Sequence, residues 1–252
     1  MNNTNLCFTV PGLRSSRFIL AAGLALITSA AAITPVRAVP RRIILLRHGE
    51  KANAYALCSV GQQRAMALRD TYLGRNASNG SLLEGQPPAA FLAITLHTQE
   101  TTAPSATSWG LPLHSYAVVP TGAGKTQLMN ELTHATQTAA ANVLENPAWD
   151  GRTVVMTWEH KHIANKGLER QNRGERVTLR QLLNLDQVAG VPATWPGTNY
   201  DYFWVIDYDD QSSTVPTAFE MVKQTYPAPF SSLPHNAWNT PLPSNFPASC
   251  LH

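Results

Sequence analysis

Short apolar runs alternate with amphipathic stretches along most of the chain. Five runs of four to six residues have the pattern of strands buried on both faces, and they cover residues 43–46, 91–96, 115–119, 154–158 and 202–206. Apolar residues recur at helical spacing in three further segments, which cover residues 59–73, 126–144 and 179–185. Strands that alternate with helices predict an α/β fold with a mostly parallel sheet.

The first 38 residues have the pattern of a secretory signal peptide. They contain no acidic residue, and Arg14 and Arg17 precede an apolar run over residues 18–33 that is followed by a Val-Arg-Ala cleavage pattern. The run is shorter than the roughly 20 residues that span a bilayer, so we expect cleavage rather than a stable membrane anchor. The prediction is a secreted or periplasmic protein with a domain at residues 39–225 and a proline-rich tail at residues 226–252 packed on it.

Composition and charge narrow the range of partners. The chain is 44% hydrophobic, which is too apolar for a disordered protein, and its formal net charge is +3. The export segment contributes three arginines and no acid, so residues 39–252 hold 16 basic and 16 acidic residues. Because no dense stripe of lysine and arginine is present, we expect no nucleic-acid partner. Cys58 and Cys250 remain after cleavage and could either pair or stay as separate thiols.

Two groups of polar residues follow predicted strands and carry the candidate chemistry. The motif RHGEK at residues 47–51 comes directly after the first predicted strand, and Glu159 and His160 come directly after the fourth. The carboxyl ends of parallel strands meet at one edge of a sheet, so His48 and His160 are expected to lie close together.

The RHGEK motif suits attack on a phosphoryl group. A neutral imidazole at His48 is a good nucleophile near neutral pH. The cations of Arg47 and Lys51 would neutralise the oxygens of the transferring group.

These segments, together with two others, resemble the histidine phosphatase superfamily, whose fold is also called phosphoglycerate mutase-like. The matching stretches are the first strand with its RHGEK turn, the segment LCSVGQQRA, the segment FLAITLHTQETTAPSA and the strand end VVMTWEH. They occur in the same order as in the family and span residues 42–207. The resemblance implies a three-layer α/β sandwich with a mostly parallel central sheet.

The resemblance also implies a phosphohistidine mechanism. His48 would attack phosphorus, and water would then hydrolyse the covalent intermediate. Arg47 would bind the phosphate, and Lys51 stands where the acid phosphatase branch carries a second arginine. His160 matches the second histidine of the family, which stabilises the pentavalent transition state.

The sequence departs from the family at two places. Thr98 stands where the family carries a further phosphate-binding arginine, and a protonated His97 or the hydroxyl of Thr98 could replace that cation in part. The usual proton donor is also missing, since Lys161 stands where the acid phosphatase branch has an aspartate directly after the second histidine.

Three nearby carboxylates are candidates for the missing acid. They are Glu50, Glu100 and Glu159. Glu159 is taken as the catalytic candidate because it is next to His160, although strand alternation predicts that its side chain points away from that histidine.

Two weaker motifs resemble a nucleotide-binding loop and a metal site. Residues 122–126, GAGKT, resemble the end of a phosphate-binding P-loop, but Val119 stands where the pattern requires glycine, and a glycine-rich turn before a helix is the simpler interpretation. Glu159, His160 and His162 are metal-ligand types, but no further ligand has a useful spacing, so we expect no metal and no cofactor.

The sequence therefore predicts a metal-independent phosphatase, a phosphoric ester hydrolase acting on a small phosphorylated substrate. Two alternatives stay open: a weak or inactive member that binds phosphorylated or anionic ligands, and a P-loop nucleotide binder. Substrate selectivity is expected from loops at residues 74–90, 97–114 and 163–178, and the basic residues of the last loop either contact a polyanionic substrate or face solvent.

Overall fold

A computed structural model describes residues 38–252 apart from Asn79, residues 210–212 and His252. The predicted signal peptide, apart from Ala38, lies outside the described residues. Six strands form one sheet, and they are β1 (Arg42–Arg47), β2 (Pro88–Ala93), β3 (Leu113–Ser115), β4 (Thr153–Trp158), β5 (Tyr202–Asp207) and β6 (Ala218–Lys223).

The strands lie in the order β3-β2-β4-β1-β5-β6. The first four in this order are parallel to one another, β5 is antiparallel to β1, and β6 is antiparallel to β5. The predicted mostly parallel central sheet is confirmed. Because β5 runs in the opposite direction to β1, the start of β5 lies at the edge where β1 ends.

The described part of the chain contains six α-helices. They are α1 (Ser59–Leu68), which continues as a π-helical turn over Arg69–Leu73, α2 (Leu96–Trp109), α3 (Lys125–Glu145), α4 (His160–Ile163), α5 (Lys166–Gln171) and α6 (Leu179–Leu182). Short 3-10 turns occupy Pro147–Trp149 and Leu185–Gln187. No helix in the described part of the chain combines the length and apolar character that a bilayer crossing requires.

Alternating side chains of the strands form two separate cores. Ile43 and Leu45 of β1 pack in one core with the apolar face of α3 and with α6. Ile44 and Leu46 pack in the other core with α1 and α2. Side chains of successive strand residues point to opposite faces, so a strand that is apolar throughout requires a helical layer on each side. This arrangement is the three-layer sandwich that the sequence predicts.

The structure corrects three sequence-based assignments. The strand expected at residues 115–119 is only the short edge strand β3, Leu113–Ser115. The loop expected at residues 97–114 is largely α2, whose threonine-rich sequence lacks an apolar period and which begins with a capping box between Thr95 and Thr98. Strand β6 lies in a segment where the hydrophobic pattern predicts no strand. Its side chains are only partly buried at the edge of the sheet, so its sequence lacks a clear apolar pattern.

The proline-rich tail is attached to the domain by a disulfide and by hydrogen bonds. Cys250 is bonded to Cys58, the residue before α1, which answers the question that the sequence left open. Next to it, the backbone N–H of Leu251 donates to the carbonyl oxygen of Lys51 at 2.6 Å. The end of the tail therefore lies against the RHGEK loop.

A buried arginine connects the same loop to three other segments. Arg64 on α1 is 1% exposed, and its Nε and Nη2 donate to the carboxylate of Glu50 at 2.6–3.1 Å. Its Nη1 donates to Asp201 just before β5, and Nη2 also donates to the carbonyl oxygen of Pro234 in the tail. Burial opposes the charge, but Glu50 and Asp201 raise the pKa of Arg64 well above its ordinary value. A fully paired guanidinium thus joins α1, the β1 loop, the start of β5 and the tail.

Replacing both Cys58 and Cys250 by serine is expected to lower the free energy of unfolding by about 2–5 kcal/mol, because the bond restricts the unfolded chain across a long loop. The two cysteines are 192 residues apart in the sequence. Urea unfolding of the oxidised wild type and of the double variant measures the difference. Reduced wild type should match the variant, and equal stability of oxidised wild type and variant would show that the bond does not stabilise the fold.

Candidate active site

The pairing of β1 with β4 brings His48 and Glu159 side by side. Arg47, the last residue of β1, lies opposite Trp158, the last residue of β4. The backbone N–H of His48 donates to the carbonyl oxygen of Trp158 at 3.3 Å. Both motifs that the sequence analysis singled out therefore leave the sheet at the same point.

The ring of His48 is held in one orientation by the backbone. His48 is fully buried, and its Nδ1 lies 2.6 Å from the carbonyl oxygen of Gly49. Because only a protonated Nδ1 can donate to that oxygen, Nε2 of the neutral ring keeps its lone pair, and Oε2 of Glu159 lies 3.3 Å from Nε2. Burial lowers the pKa of His48, which favours this neutral, nucleophilic form.

The loop after His48 crosses close to α1 and requires glycine on both sides. A Cβ atom at Gly49 would lie 3.0 Å from the carbonyl oxygen of Gly61, and a Cβ atom at Gly61 would overlap the backbone carbonyl of Glu50. The N–H of Gly49 also donates to Oγ1 of Thr101 on α2 at 2.9 Å. His48 is therefore followed by a loop that contacts both α1 and α2.

Arg47 is a buried cation with two unused donors. It is 2% exposed, and its Nη1 donates to the carbonyl oxygens of Gly197 and Asn199 at 2.7 and 3.1 Å. Its guanidinium carbon lies 3.8 Å from the ring centroid of Tyr200. Nε and Nη2 have no partner among the described residues. An oxyanion beside Arg47 would satisfy both donors, and no carboxylate competes for them.

His160 and Glu159 complete the centre of the site. Ligand atoms of His48, Glu159 and His160 all lie within 4.8 Å of one another. Burial, followed by the charge of Arg47 and by His48, lowers the pKa of His160 to about 2. His160 is therefore neutral at physiological pH, and its Nδ1 is buried without a hydrogen-bond partner among the described residues.

Glu159 points into the site, whereas strand alternation predicted that it points away from His160. Its Oε2 lies 3.3 Å from Nε2 of His48, and its Oε1 accepts from the hydroxyl of Thr95 at 3.3 Å. The prediction is wrong because β4 ends at Trp158, so the alternation stops before Glu159, which is the N-cap of α4. Burial opposes its ionisation, but His48 and, after it, Lys51 hold the pKa of Glu159 well below its usual range.

The other two candidate acids are engaged elsewhere. Glu50 is fully buried and holds Arg64 with both carboxylate oxygens. Glu100 accepts from the backbone N–H of Leu57 at 2.7 Å and lines a different surface groove. Glu159 is therefore the carboxylate in contact with His48.

A cavity of about 300 Å³ lies beside Glu159 and His160, whereas the buried His48 and Arg47 are not part of its lining. Lys51 and His97 line it together with Glu159 and His160. The rings of His97 and His48 lie 5.8 Å apart, and Nε2 of His97 lies 2.8 Å from the carbonyl oxygen of Asn53. Burial lowers the pKa of His97, so it supplies a neutral polar ring rather than the protonated cation that the sequence suggested.

Thr98 does not replace the missing arginine. Its Oγ1 accepts from the backbone N–H groups of Ile94 and Thr95 at 2.8 and 2.7 Å, and it donates to the carbonyl oxygen of Thr95 at 2.8 Å. The hydroxyl is used entirely by the cap of α2, and the side chain is fully buried. The expectation that Thr98 binds phosphate is therefore corrected.

The basic segment at residues 163–178 does not supply the cation either. Arg180, which follows it, is paired with Glu169 at 2.9 Å, and Arg176 donates to the side chain of Asn184. Arginines of this region are absent from the lining of the cavity, whereas Lys51, Lys125 and Lys161 are part of it.

Sequence reasoning missed the segment before β5. Tyr200, Gly197 and Asn199 fix the guanidinium of Arg47, and the Tyr200 ring also meets the His48 ring edge-on at 6.2 Å between centroids. A mostly parallel pattern gives no sign that one strand is reversed. Only the antiparallel direction of β5 brings the residues before it to this edge.

The same three central residues could also hold a metal ion. Two neutral imidazoles and a carboxylate are ligands that zinc accepts, and an open position would remain for a water or a substrate oxygen. The sequence-based cluster included His162, but Nε2 of His162 contacts the hydroxyl of Thr133 at 3.3 Å, and His48 takes its place in the group.

Comparison with known proteins gives structural but no sequence matches. No family profile and no curated protein match the chain. Among solved structures, it is similar to a mycobacterial glucosyl-3-phosphoglycerate phosphatase in complex with inorganic phosphate, with 14% identity, a TM-score of 0.42, and 76% of this chain and 99% of that chain covered. The native structure of the same phosphatase gives 14% identity, a TM-score of 0.41, and 73% and 98% coverage.

A third similar structure is a proposed phosphohistidine phosphatase from Agrobacterium tumefaciens. It shows 16% identity and a TM-score of 0.35, and 72% of this chain and 97% of that chain are covered.

Buried histidines should make the fold less stable in acid. The pKa of His160 is lowered to about 2 and that of His162 to about 4, mainly by burial, so the unfolded chain binds more protons than the folded one below about pH 6.5. The free energy of unfolding should therefore fall as the pH drops from 7 to 4.5, by about 1–3 kcal/mol for each of the two groups.

Urea unfolding of wild type and His162→Asn at both pH values measures this effect. The variant should lose about 1–3 kcal/mol of the pH dependence, and His235→Asn, a change at an exposed histidine, should keep all of it. The same pH dependence in wild type and His162→Asn would contradict the assignment.

Proposed function

We propose that the protein is a divergent histidine phosphatase that hydrolyses phosphomonoesters through a phosphohistidine at His48. The observation that carries the proposal is the fully buried ring of His48, whose Nε2 keeps its lone pair, directly after Arg47, which has two unused donors. A nucleophile next to a preorganised cation is the arrangement that phosphoryl transfer requires.

In the first step, Nε2 of His48 attacks phosphorus, and the bond between phosphorus and the ester oxygen breaks. Nε and Nη2 of Arg47 bind two oxygens of the transferring group. Nδ1 keeps its proton and its hydrogen bond to the carbonyl oxygen of Gly49. The positive charge that develops on the ring is therefore stabilised by a group already in position. The product is phosphorylated His48 and a leaving oxygen that needs a proton.

Glu159 is the residue that supplies this proton. Its carboxylate lies 3.3 Å from the attacking nitrogen, and a bound phosphoryl group raises its pKa by like-charge repulsion. A phosphomonoester bound as its monoanion carries the required proton, which Glu159 passes to the leaving oxygen. In the second step the same carboxylate accepts a proton from the water that attacks the phosphohistidine, and inorganic phosphate leaves.

His160 and Lys51 assist at the phosphoryl oxygens. His160 is neutral before substrate binds, and an anion next to its unpartnered Nδ1 raises its pKa, so that it can donate a hydrogen bond or a proton. Lys51 brings a point charge to the same cavity and takes the part that a second arginine has in related enzymes. His97 offers a further polar nitrogen.

We further propose that the enzyme works without a metal ion and in a secreted or periplasmic location. The three-ligand group would then be a place where zinc inhibits, since zinc would occupy the nucleophilic nitrogen. The Cys58–Cys250 bond suits an oxidising compartment. The P-loop alternative is not favoured, because β3 ends at Ser115, well before the GAGKT turn, so no strand leads directly into it.

Replacing His48 by alanine is expected to lower kcat/KM for p-nitrophenyl phosphate by roughly 10³-fold or more, because the residue that forms the covalent bond is removed. His134→Ala, a change at an exposed site on α3, should leave kcat/KM unchanged. Rapid quenching in alkali should trap phosphate on wild type and none on His48→Ala. Unchanged turnover by His48→Ala would contradict the phosphohistidine mechanism. Tight phosphate binding without turnover in wild type would favour the alternative of a non-catalytic binding protein.

Glu159→Gln is expected to slow the hydrolysis of esters with poor leaving groups more than that of esters with good ones. It should lower kcat/KM for an alkyl phosphate by about 10²–10³-fold, and it should lower kcat/KM for p-nitrophenyl phosphate much less, because nitrophenolate leaves without a proton. Steady-state kinetics with both substrates give the two ratios. Equal losses for both substrates would show that Glu159 acts by some route other than proton donation.

A further inference from the structure

The proposed nucleophile is separated from the cavity through which a substrate would arrive. His48 is fully buried and Arg47 is 2% exposed, and neither of them lines the cavity of about 300 Å³. Glu159 and His160 do line it. A phosphoryl group that enters the cavity therefore meets these two side chains before it can reach Nε2 of His48.

The carboxylate of Glu159 occupies space that the reaction needs. Its Oε2 lies 3.3 Å from Nε2 of His48. Reacting atoms approach to about 3–3.5 Å before a bond forms, so phosphorus has to lie at the distance from Nε2 at which Oε2 now lies. Because the His48 ring is fully buried, a phosphoryl group can come this close only if a neighbouring group moves.

Glu159 can turn away from His48 without a change in the backbone. It is the N-cap of α4, directly after the last residue of β4, and its side chain makes no cap hydrogen bond. The hydroxyl of Thr95 donates to its Oε1 at 3.3 Å, which is long for a hydrogen bond between two oxygens. His97 is fixed more firmly, since its Nε2 lies 2.8 Å from the carbonyl oxygen of Asn53. Rotation about side-chain bonds is therefore enough to move the Glu159 carboxylate.

The cavity wall offers this carboxylate a second position. Lys51 and Lys161 line the cavity together with Glu159. Every ion pair in the described part of the chain has an arginine or a histidine as its cation, so neither lysine is paired there with an acid. A carboxylate turned into the cavity would be attracted by both ammonium groups.

The direction of phosphoryl transfer also requires a second position. The attacking and leaving atoms lie roughly in line on opposite sides of phosphorus. Beside Nε2 of His48, Glu159 is on the side of the attacking atom, where it cannot protonate the leaving oxygen. Turned into the cavity, it is on the side from which the substrate enters, and this is the side of the leaving group.

We propose that Glu159 is a gate: its carboxylate covers Nε2 of His48 in the free enzyme, and an entering phosphoryl group displaces it into the cavity, where it faces the leaving oxygen. The inference rests on the proposed function for the open position. The closed contact with His48 stands independently of any turnover.

Carbethoxylation by diethyl pyrocarbonate tests the closed contact. This neutral reagent modifies unprotonated imidazole nitrogens, and mass spectrometry of the peptide that contains His48 gives the rate near neutral pH. Glu159→Ala should raise this rate by about 10-fold or more, because the reactive fraction of His48 is no longer limited by an open population. Glu159→Gln should keep the slow wild-type rate, since the amide fills the same space and can donate to Nε2.

Two other histidines are internal controls in the same samples. His134 is exposed on α3 and should react rapidly and equally in all three proteins. His162 is 1% exposed on α4 and should react slowly in all three. Parallel acceleration at His48 and His162 in Glu159→Ala would show that α4 has loosened, and it would overturn the gate.

The remaining results separate the gate from the phosphatase proposal. Reaction of wild-type His48 as fast as His134 would overturn the gate, and so would equal rates in Glu159→Ala and Glu159→Gln, because loss of charge would then explain the change. If Glu159 protects His48 but no phosphomonoester is hydrolysed, the closed contact stands and the phosphatase proposal fails. Hydrolysis by an enzyme with unprotected His48 would leave the phosphatase proposal intact and remove the gate.

Discussion

The parallel pairing of β1 with β4 is the constraint on which the candidate site depends. Arg47 lies opposite Trp158 across the sheet, so the next residues, His48 and Glu159, leave the same edge next to each other. A shift of one residue in this register would turn each side chain toward the opposite face and separate the pair. The register is held by strands that are buried on both faces, where any slip would expose apolar surface.

A second constraint keeps the loop that follows His48 in place. Arg64 takes both oxygens of Glu50 and reaches Asp201 and the tail, and the Cys58–Cys250 bond closes the same region from outside. Removal of one partner from a buried ion pair of this kind strongly lowers the stability of the fold, since the other charge is then left without compensation. Because Glu50 is used in this way, Glu159 is the carboxylate that contacts His48.

The site combines neutral imidazoles with fixed cations. Burial favours the uncharged form of His48, His97 and His160, while Arg47 has two unused donors. Charge that develops on a phosphoryl group would therefore meet donors that need no reorganisation. Lysines line the cavity wall, whereas the hydroxyl of Thr98 caps α2.

The sequence by itself determined the α/β class, the buried strands and the two polar motifs at strand ends, because apolar periodicity and residue type are local properties. It could not give the direction of β5, the helix α2 or the orientation of Glu159, since these depend on pairing and capping contacts between distant segments. Tyr200 at Arg47 and Lys125 at the cavity have no local signal for the same reason. Only the tertiary structure decided which charged groups surround His48. It also decided the pKa of each group, because burial and proximity, rather than residue type, set the shift.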